Sequence, residues 1–287
     1  MHHFYTGDDP WLPADLLWGP LPAAAVDTCA RGGGRRQRPA RRMLAAYGMG
    51  CHLRLVLHDA RGVWGMLGLW RAEGAKPFGD TDLWRAADLG PALVAFLRTY
   101  VTAAPLAART PVLAPGVLVV GADHTIRAAT PQAYAWQQRL SRCARAPQWT
   151  GAAFMAGLAV HTRAHARNPQ ATAAPLVVGP AASHGRWTAV HGQPLCGTGS
   201  DRSDPASADV AIVIETAHRD QVLPSFCDWF GITARERQVL ARLCEATAPK
   251  QIARRLGLSV HTVNDHPKSV FRKTGATGRE ELPATLA

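Results

Sequence analysis

The tightest constraint on folding lies near the C-terminus, in the run TARERQVLARLCEATAPKQIARRLGLSVHTVNDHPKSVFRK at 233–273. Its helix starts and stops are all marked. Thr233 stands three residues before Glu236, so its hydroxyl can accept the Glu236 amide while the carboxylate reaches back. Val239, Leu240 and Leu243 then form an apolar stripe. Pro249 suits a first turn, where its missing N–H would be unpaired in any case. Ile252, Ala253 and Leu256 face inward on a second helix, Gly257 ends it, Leu258 packs beneath the turn, and Ser259 caps a third. A short helix, a glycine turn and a capped basic helix form the geometry that lays the last helix in a DNA major groove.

One residue conflicts with this pattern. Pro267 falls inside the third helix, on the face shared by Val263, Val270, Phe271 and Thr274. A proline there removes the bond from residue 267 to the Val263 carbonyl and crowds that carbonyl, a cost of about 3 kcal/mol or more. Domains are stable by only ~5–15 kcal/mol. The expectation is a kinked helix that still folds.

The stretch from Gly231 to Leu282 resembles the LuxR-type (GerE/NarL-like) DNA-binding domain. The likeness rests on T-x-R-E at 233–236, K-Q-I-A-x-x-L-x-L-S at 250–259, H-T-V-N-D-H at 261–266, F-R-K-T-G at 271–275 and R-E-E-L at 279–282. It implies four helices, the third reading bases and the fourth supporting dimerisation. Carried over position by position, Asn264, Asp265 and Lys268 become base-contact candidates, and Lys250, His261, Thr262 and Lys273 phosphate-contact candidates. The chemistry fits: Asn pairs with adenine, Asp accepts from cytosine, and Lys donates to guanine. Arg279 resembles a family arginine that pairs with the acid at Glu236, a structural role. Pro267 stands where relatives usually carry Leu, Val or Ile, and Pro283 is expected to shorten the fourth helix. From Gly231 onward there are ten Lys or Arg against five Asp or Glu, a net +5, enough for several phosphate contacts.

Two further regions precede this one. Residues 1–99 hold a loop with six arginines, RGGGRRQRPARR (31–42), then strand-like runs at 51–59 and 62–71. A helical stretch at 80–98 follows, with Leu83, Ala86, Ala87, Pro91, Val94 and Leu97 near one face. This region resembles the latter part of a GAF-like sensor domain, and it is shorter at its start than such domains usually are. An Ala/Pro/Thr linker (102–115) leads to residues 112–218, read as strand, turn, strand, helix, then strand-like runs at 174–179, 185–192 and 208–217. That order is similar to a PAS-like domain. The fold class expected is therefore multidomain: α+β sensor regions, then an all-α helix-turn-helix domain at 224–287. The ensemble resembles an actinobacterial one-component regulator.

Chemistry beyond binding finds little support. The six cysteines (Cys29, Cys51, Cys143, Cys196, Cys227, Cys244) are scattered, without a CxxC pair, and read as free and mostly buried. His161 and His165 have the four-residue spacing of a ligand pair but lack the glutamate of HExxH, and read as surface histidines. There is no GxSxG elbow or phosphate loop, and no receiver-type aspartate set. Trp64, Trp70, Trp84, Trp136 and Trp187 read as core rather than as a pocket. No catalytic residue, metal or cofactor is expected. The net charge of +11 favours a polyanionic partner, though an arginine-rich composition weakens that inference. No run approaches ~20 apolar residues, and no secretory signal opens the chain, so a cytoplasmic protein is expected.

The leading expectation is a sequence-specific DNA-binding transcription regulator. Its partners would be double-stranded DNA, a second copy of the chain and an unidentified small-molecule effector. The alternative is a ligand- or protein-binding sensor whose DNA-binding domain Pro267 has impaired. An enzyme built on the central region is the weakest reading.

Overall fold

The computed structural model describes residues 16–17, 19–27, 48–104, 106, 110–142, 149–170, 174–196, 208–245, 247–278 and 280–286. The arginine-rich loop at 31–42, Cys29, Cys143 and Arg279 lie outside the described residues.

Strands β1 (Ala23–Asp27), β2 (Met49–Asp59) and β3 (Gly62–Ala72) form a three-stranded antiparallel sheet in that order. Side chains alternate across a strand. Leu53, Leu55 and Leu57 therefore share one face, which packs on helix α1 (Asp80–Thr102) through Ala86 and Val94. Val56 lies on the other face, with Ala24 and Leu16. The expected apolar face of α1 needs one correction. Gly90 is buried and Pro91 is exposed, so the proline ring points to water instead of the sheet. The tryptophans divide as well. Trp136 and Trp187 are core, whereas Trp70 (40% exposed) and Trp84 (58%) are not.

The second unit is a five-stranded antiparallel sheet, ordered β5-β4-β8-β7-β6. Its strands are β4 (Gly116–Val120), β5 (Ile126–Ala129), β6 (Leu176–Gly179), β7 (Thr188–Pro194) and β8 (Val210–Thr216). Helices α2 (Pro131–Arg142) and α3 (Trp149–Arg167) lie between β5 and β6 in sequence, and the short α4 (Ala181–His184) follows β6. The strand and helix order matches the sequence reading. Leu118, Val120, Ile212 and Ile214 of the sheet pack against Trp136 and Met155. His161 and His165 sit on α3 and are half-buried rather than fully exposed.

Buried Arg163 pins the rim of this sheet. It donates to the carbonyls of Ala208 (2.9 Å), Val120 (3.1 Å) and Gly121 (2.8 Å). A buried guanidinium must be satisfied by hydrogen bonds, and here backbone oxygens do it. Desolvation lowers its pKa.

The helical C-terminal part begins earlier than Pro224, with α5 (Arg219–Trp229). It continues through α6 (Ala234–Cys244), α7 (Pro249–Leu256), α8 (Val260–Thr274) and α9 (Glu281–Leu286). Phe226 and Cys227 of α5 join Trp187, which directly precedes β7, and Ala189 of β7 to Leu240, Val270, Leu282 and Leu286 in one core. Burial pushes the Cys227 thiol up to about 11. Cys51 is also buried, Cys244 half-buried and Cys196 exposed, all as free thiols.

Candidate nucleic-acid interface

Each cap read from sequence is present. The Glu236 amide donates to Thr233 Oγ1 (3.3 Å), and the Thr233 amide donates to Glu236 Oε2 (2.7 Å). Pro249 opens α7, and Gly257 closes it at φ 62°, a left-handed conformation that glycine adopts without strain. Ser259 Oγ accepts the Thr262 amide at 3.0 Å. Val239, Ile252, Ala253 and Val263 form the small core beneath, with Leu243, Leu256 and Leu258 packed on it. These contacts set α8 against α6 and α7.

Helix α8 runs on through Pro267. Val263, Pro267, Val270 and Thr274 make its buried face, so the ring is inside, as the spacing required. Pro283, the third residue of α9, stands among the first amides of that helix, which have no intrahelical acceptor. No intrahelical bond is lost there.

Opposite the buried face, His261, Asn264, Asp265, Lys268 and Arg272 are all exposed, spaced three and four apart. All three base-contact candidates thus share one face. Asp265 is already engaged. Lys268 Nζ donates to Oδ1 at 2.9 Å, and His261 Nδ1 lies 3.0 Å from Oδ2. The hydrogen bond from Lys268 leads the effects that hold the Asp265 carboxyl below its usual range. Thr262 is exposed in the first turn of α8, and Lys250 in the first turn of α7.

Lys273 is placed differently. Its ammonium donates to Glu236 Oε2 at 2.6 Å and to the Gly231 carbonyl at 3.0 Å. Ser269 adds a hydroxyl to Glu236 Oε1 at 2.7 Å. Burial alone would raise the Glu236 pKa, but these donors and the Thr233 amide bring it down to about 2. Arg254, Arg255 and Arg272, which sequence reasoning passed over, are exposed cations on α7 and α8. Their spacing relative to Lys250 and Lys268 was the available signal.

The helical part is also tied to the first sheet. Arg98 of α1 and Arg61 of the β2–β3 turn donate to the Asp228 carbonyl, at 3.3 and 3.2 Å, at the end of α5. Trp64 packs on Trp229 with ring centroids 4.7 Å apart. Asp228 in turn takes Arg237 of α6 at 2.6 Å. Sequence offered no signal for this long-range set.

Comparison with known proteins bears on this region. The model of the luxR family of bacterial regulatory proteins matches residues 231–285. Over 51 residues the chain is 39% identical to the monoamine regulon transcriptional regulator of Klebsiella aerogenes, covering 18% of this chain and 22% of that one. The chain thus spans about a fifth of the length of that curated relative. A solved structure of the Vibrio cholerae VqmA dimer in the absence of target DNA is 19% identical. It covers 60% of this chain and 81% of that one with a TM-score of 0.25, which carries no weight for the fold. The C-terminal domain is a LuxR-type helix-turn-helix domain, preceded by sheet-containing regions.

Proposed function

We propose that the chain is a sequence-specific, non-enzymatic transcription regulator of the bacterial cytoplasm that binds double-stranded DNA through α8. The observation that carries this is the pairing of faces on one capped helix. Val263, Pro267 and Val270 are locked into the domain core, while Asn264, Asp265 and Lys268 stand clear of it. Asn264 would meet an adenine edge. Asp265 and Lys268 would exchange their mutual ion pair for cytosine and guanine contacts. Lys250, His261 and Thr262, exposed in the first turns of α7 and α8, would contact phosphates, and Lys273 would do so only by loosening its hold on Glu236. The regions at 1–99 and 112–218 act, on this reading, as GAF-like and PAS-like modules that pass the state of an unidentified small-molecule effector to the helical part. Two copies would occupy two half-sites.

Pro267 supports a second reading. With one helix bond missing beside the reading face, the domain could persist as a scaffold in a ligand- or protein-binding sensor that no longer binds DNA. Selection of duplexes from a random-sequence library at two salt concentrations separates the readings. It is run on the full chain and on Pro267→Leu. Specific, salt-sensitive binding by the native chain supports the regulator. Binding by the leucine variant alone supports the sensor. Binding by neither removes DNA recognition from the account.

Among the described residues, no group of three His, Cys, Asp or Glu is placed to hold a metal ion, and no helix is long and apolar enough to cross a membrane.

A further inference from the structure

Much of the chain's positive charge lies ahead of its helical part. Between Asp88 and Asp201 the sequence holds nine arginines, no lysine and a single acid, Asp123. Three of these arginines are answered within the fold: Arg98 pairs with Asp59, Arg127 with Asp209 and Asp123, and Arg163 with backbone carbonyls. Arg139 of α2 and Arg186 are half-buried and have no acidic partner among the described residues. Each donates instead to the segment ahead of β4. Arg139 Nη1 reaches the Pro111 carbonyl and Arg186 Nε the Thr110 carbonyl, both at 3.1 Å. Two guanidinium groups are thereby drawn to successive carbonyls of one piece of chain, although like charges repel. His184, at the end of α4, is the third member. Its Nδ1 is buried and meets no hydrogen-bond partner among the described residues, which is costly for a polar atom. Burial, and then the charge of Arg139, hold the imidazole pKa below its ordinary value, so the ring is neutral at pH 7. The frame around these groups is fixed by its own contacts. Thr110 Oγ1 donates to the His184 carbonyl (3.3 Å) and Trp136 Nε1 to the Ala114 carbonyl (3.0 Å). Gly185 sits so close that a Cβ on it would come 2.6 Å from Thr110 Cγ2.

We propose that Arg139, Arg186 and His184 bind the carboxylate or phosphate group of a small molecule, at the junction of α2, α4 and residues 110–111. The site offers donors and no competing acid. Guanidinium forks match the oxygens of a carboxylate or phosphate, and a neutral imidazole can turn an N–H toward them. An anion there offsets the repulsion between the two arginines and gives the buried imidazole nitrogen a partner. Because the frame is already locked, little ordering is needed on binding. A DNA duplex suits the site less, since a phosphate on a stiff double helix does not reach a buried atom such as His184 Nδ1.

That the bound molecule is the effector rests on the sensor role proposed above; that an anion binds here does not. The test uses the full chain with isotope-labelled histidine, titrated with acetate and, separately, with inorganic phosphate. Ionic strength is held constant with chloride, and His184→Asn identifies the His184 ring signals by nuclear magnetic resonance. At least one probe should move those signals saturably, and the stronger of the two tells carboxylate from phosphate. Arg139→Gln and Arg186→Gln should each weaken that binding about tenfold or more, with unchanged circular dichroism. Arg139→Lys and Arg186→Lys keep the charge and lose the fork, so they should weaken it less, and they replace a glutamine variant that fails to fold. No saturable movement with either probe would overturn the proposal. So would binding unaltered by both glutamine variants, or the same movement produced by chloride alone. Movement caused by a short DNA duplex and by neither probe would give the patch to nucleic acid, and would overturn it equally. None of these readings uses operator selection, so the site can fail while the regulator stands, and the reverse.

Discussion

Lys273 Nζ lies 2.6 Å from Glu236 Oε2, joining the last turn of α8 to the first turn of α6. The carboxylate at that junction also caps its own helix through Thr233 and accepts Ser269. One acid therefore fixes both the start of α6 and the angle at which α8 leaves it. The sequence reading gave Glu236 to Arg279, which lies outside the described residues; among the described residues its cation is Lys273.

Acid should loosen this junction. Glu236 falls from 4.5 to about 2 on folding, so the unfolded chain takes up the proton first as pH drops. The associated stability is fully present above pH ~4.5 and is lost as pH falls toward 2. Its size is about 3 kcal/mol. Denaturant titrations of native chain and Glu236→Gln should differ by roughly that amount at pH 7 and converge near pH 2. A difference that does not change with pH would show that the carboxylate's charge contributes nothing.

Replacing Pro267 by leucine returns an amide to the middle of α8, opposite the Val263 carbonyl. Because position 267 is buried beside Val263 and Val270, leucine also keeps an apolar side chain there. Stability should rise by roughly 2–3 kcal/mol, seen as a higher melting midpoint of the helical part. A midpoint that stays put would mean that the Val263 carbonyl is already satisfied.

The exposed residues of α7 and α8 should separate by kind of effect. Asn264→Ala should relax preference at one base position, by about 1–3 kcal/mol. Lys250→Ala should weaken all duplexes alike and lower the salt slope by about 1. Competition binding over a salt series reads both. An Asn264→Ala chain with an unaltered selected sequence would remove that residue from the reading face.

Arg98→Ala deletes one cation that touches the first sheet and α5 together. It removes hydrogen bonds to Asp228 and Trp229, the ion pair with Asp59 and the stack on Trp64. Partial exposure limits the loss to about 1–2 kcal/mol. The expected sign is uncoupling, with one thermal transition becoming two. Differential scanning calorimetry of native and variant chains tests it, and a single transition in both would show that the tie is not a coupling.

The helix-turn-helix was legible because its signals are local. A cap and its acid lie three residues apart in Thr233 and Glu236, glycine marks a stop at 257, and apolar residues recur every three or four positions. Strands at 51–59 and 62–71, and helix α1, were legible through the same short-range periodicities. The ion pairs within α8 follow from spacing too, since His261, Asp265 and Lys268 stand one turn apart. What the sequence could not determine is which of these local faces meet. Arg98 and Asp228 are 130 residues apart, and no periodicity links them. Lys273, a phosphate-contact candidate by resemblance, is shown by the packing of α8 on α6 to hold a buried carboxylate, a partner that its position in the sequence did not reveal. Pro91 and Gly90 exchanged places on α1 because the sheet selects the inner face of a helix, whatever the spacing allows. Local propensity decides what an element is; only the low-dielectric contacts formed on packing decide which charges are used up inside the fold and which remain for a partner.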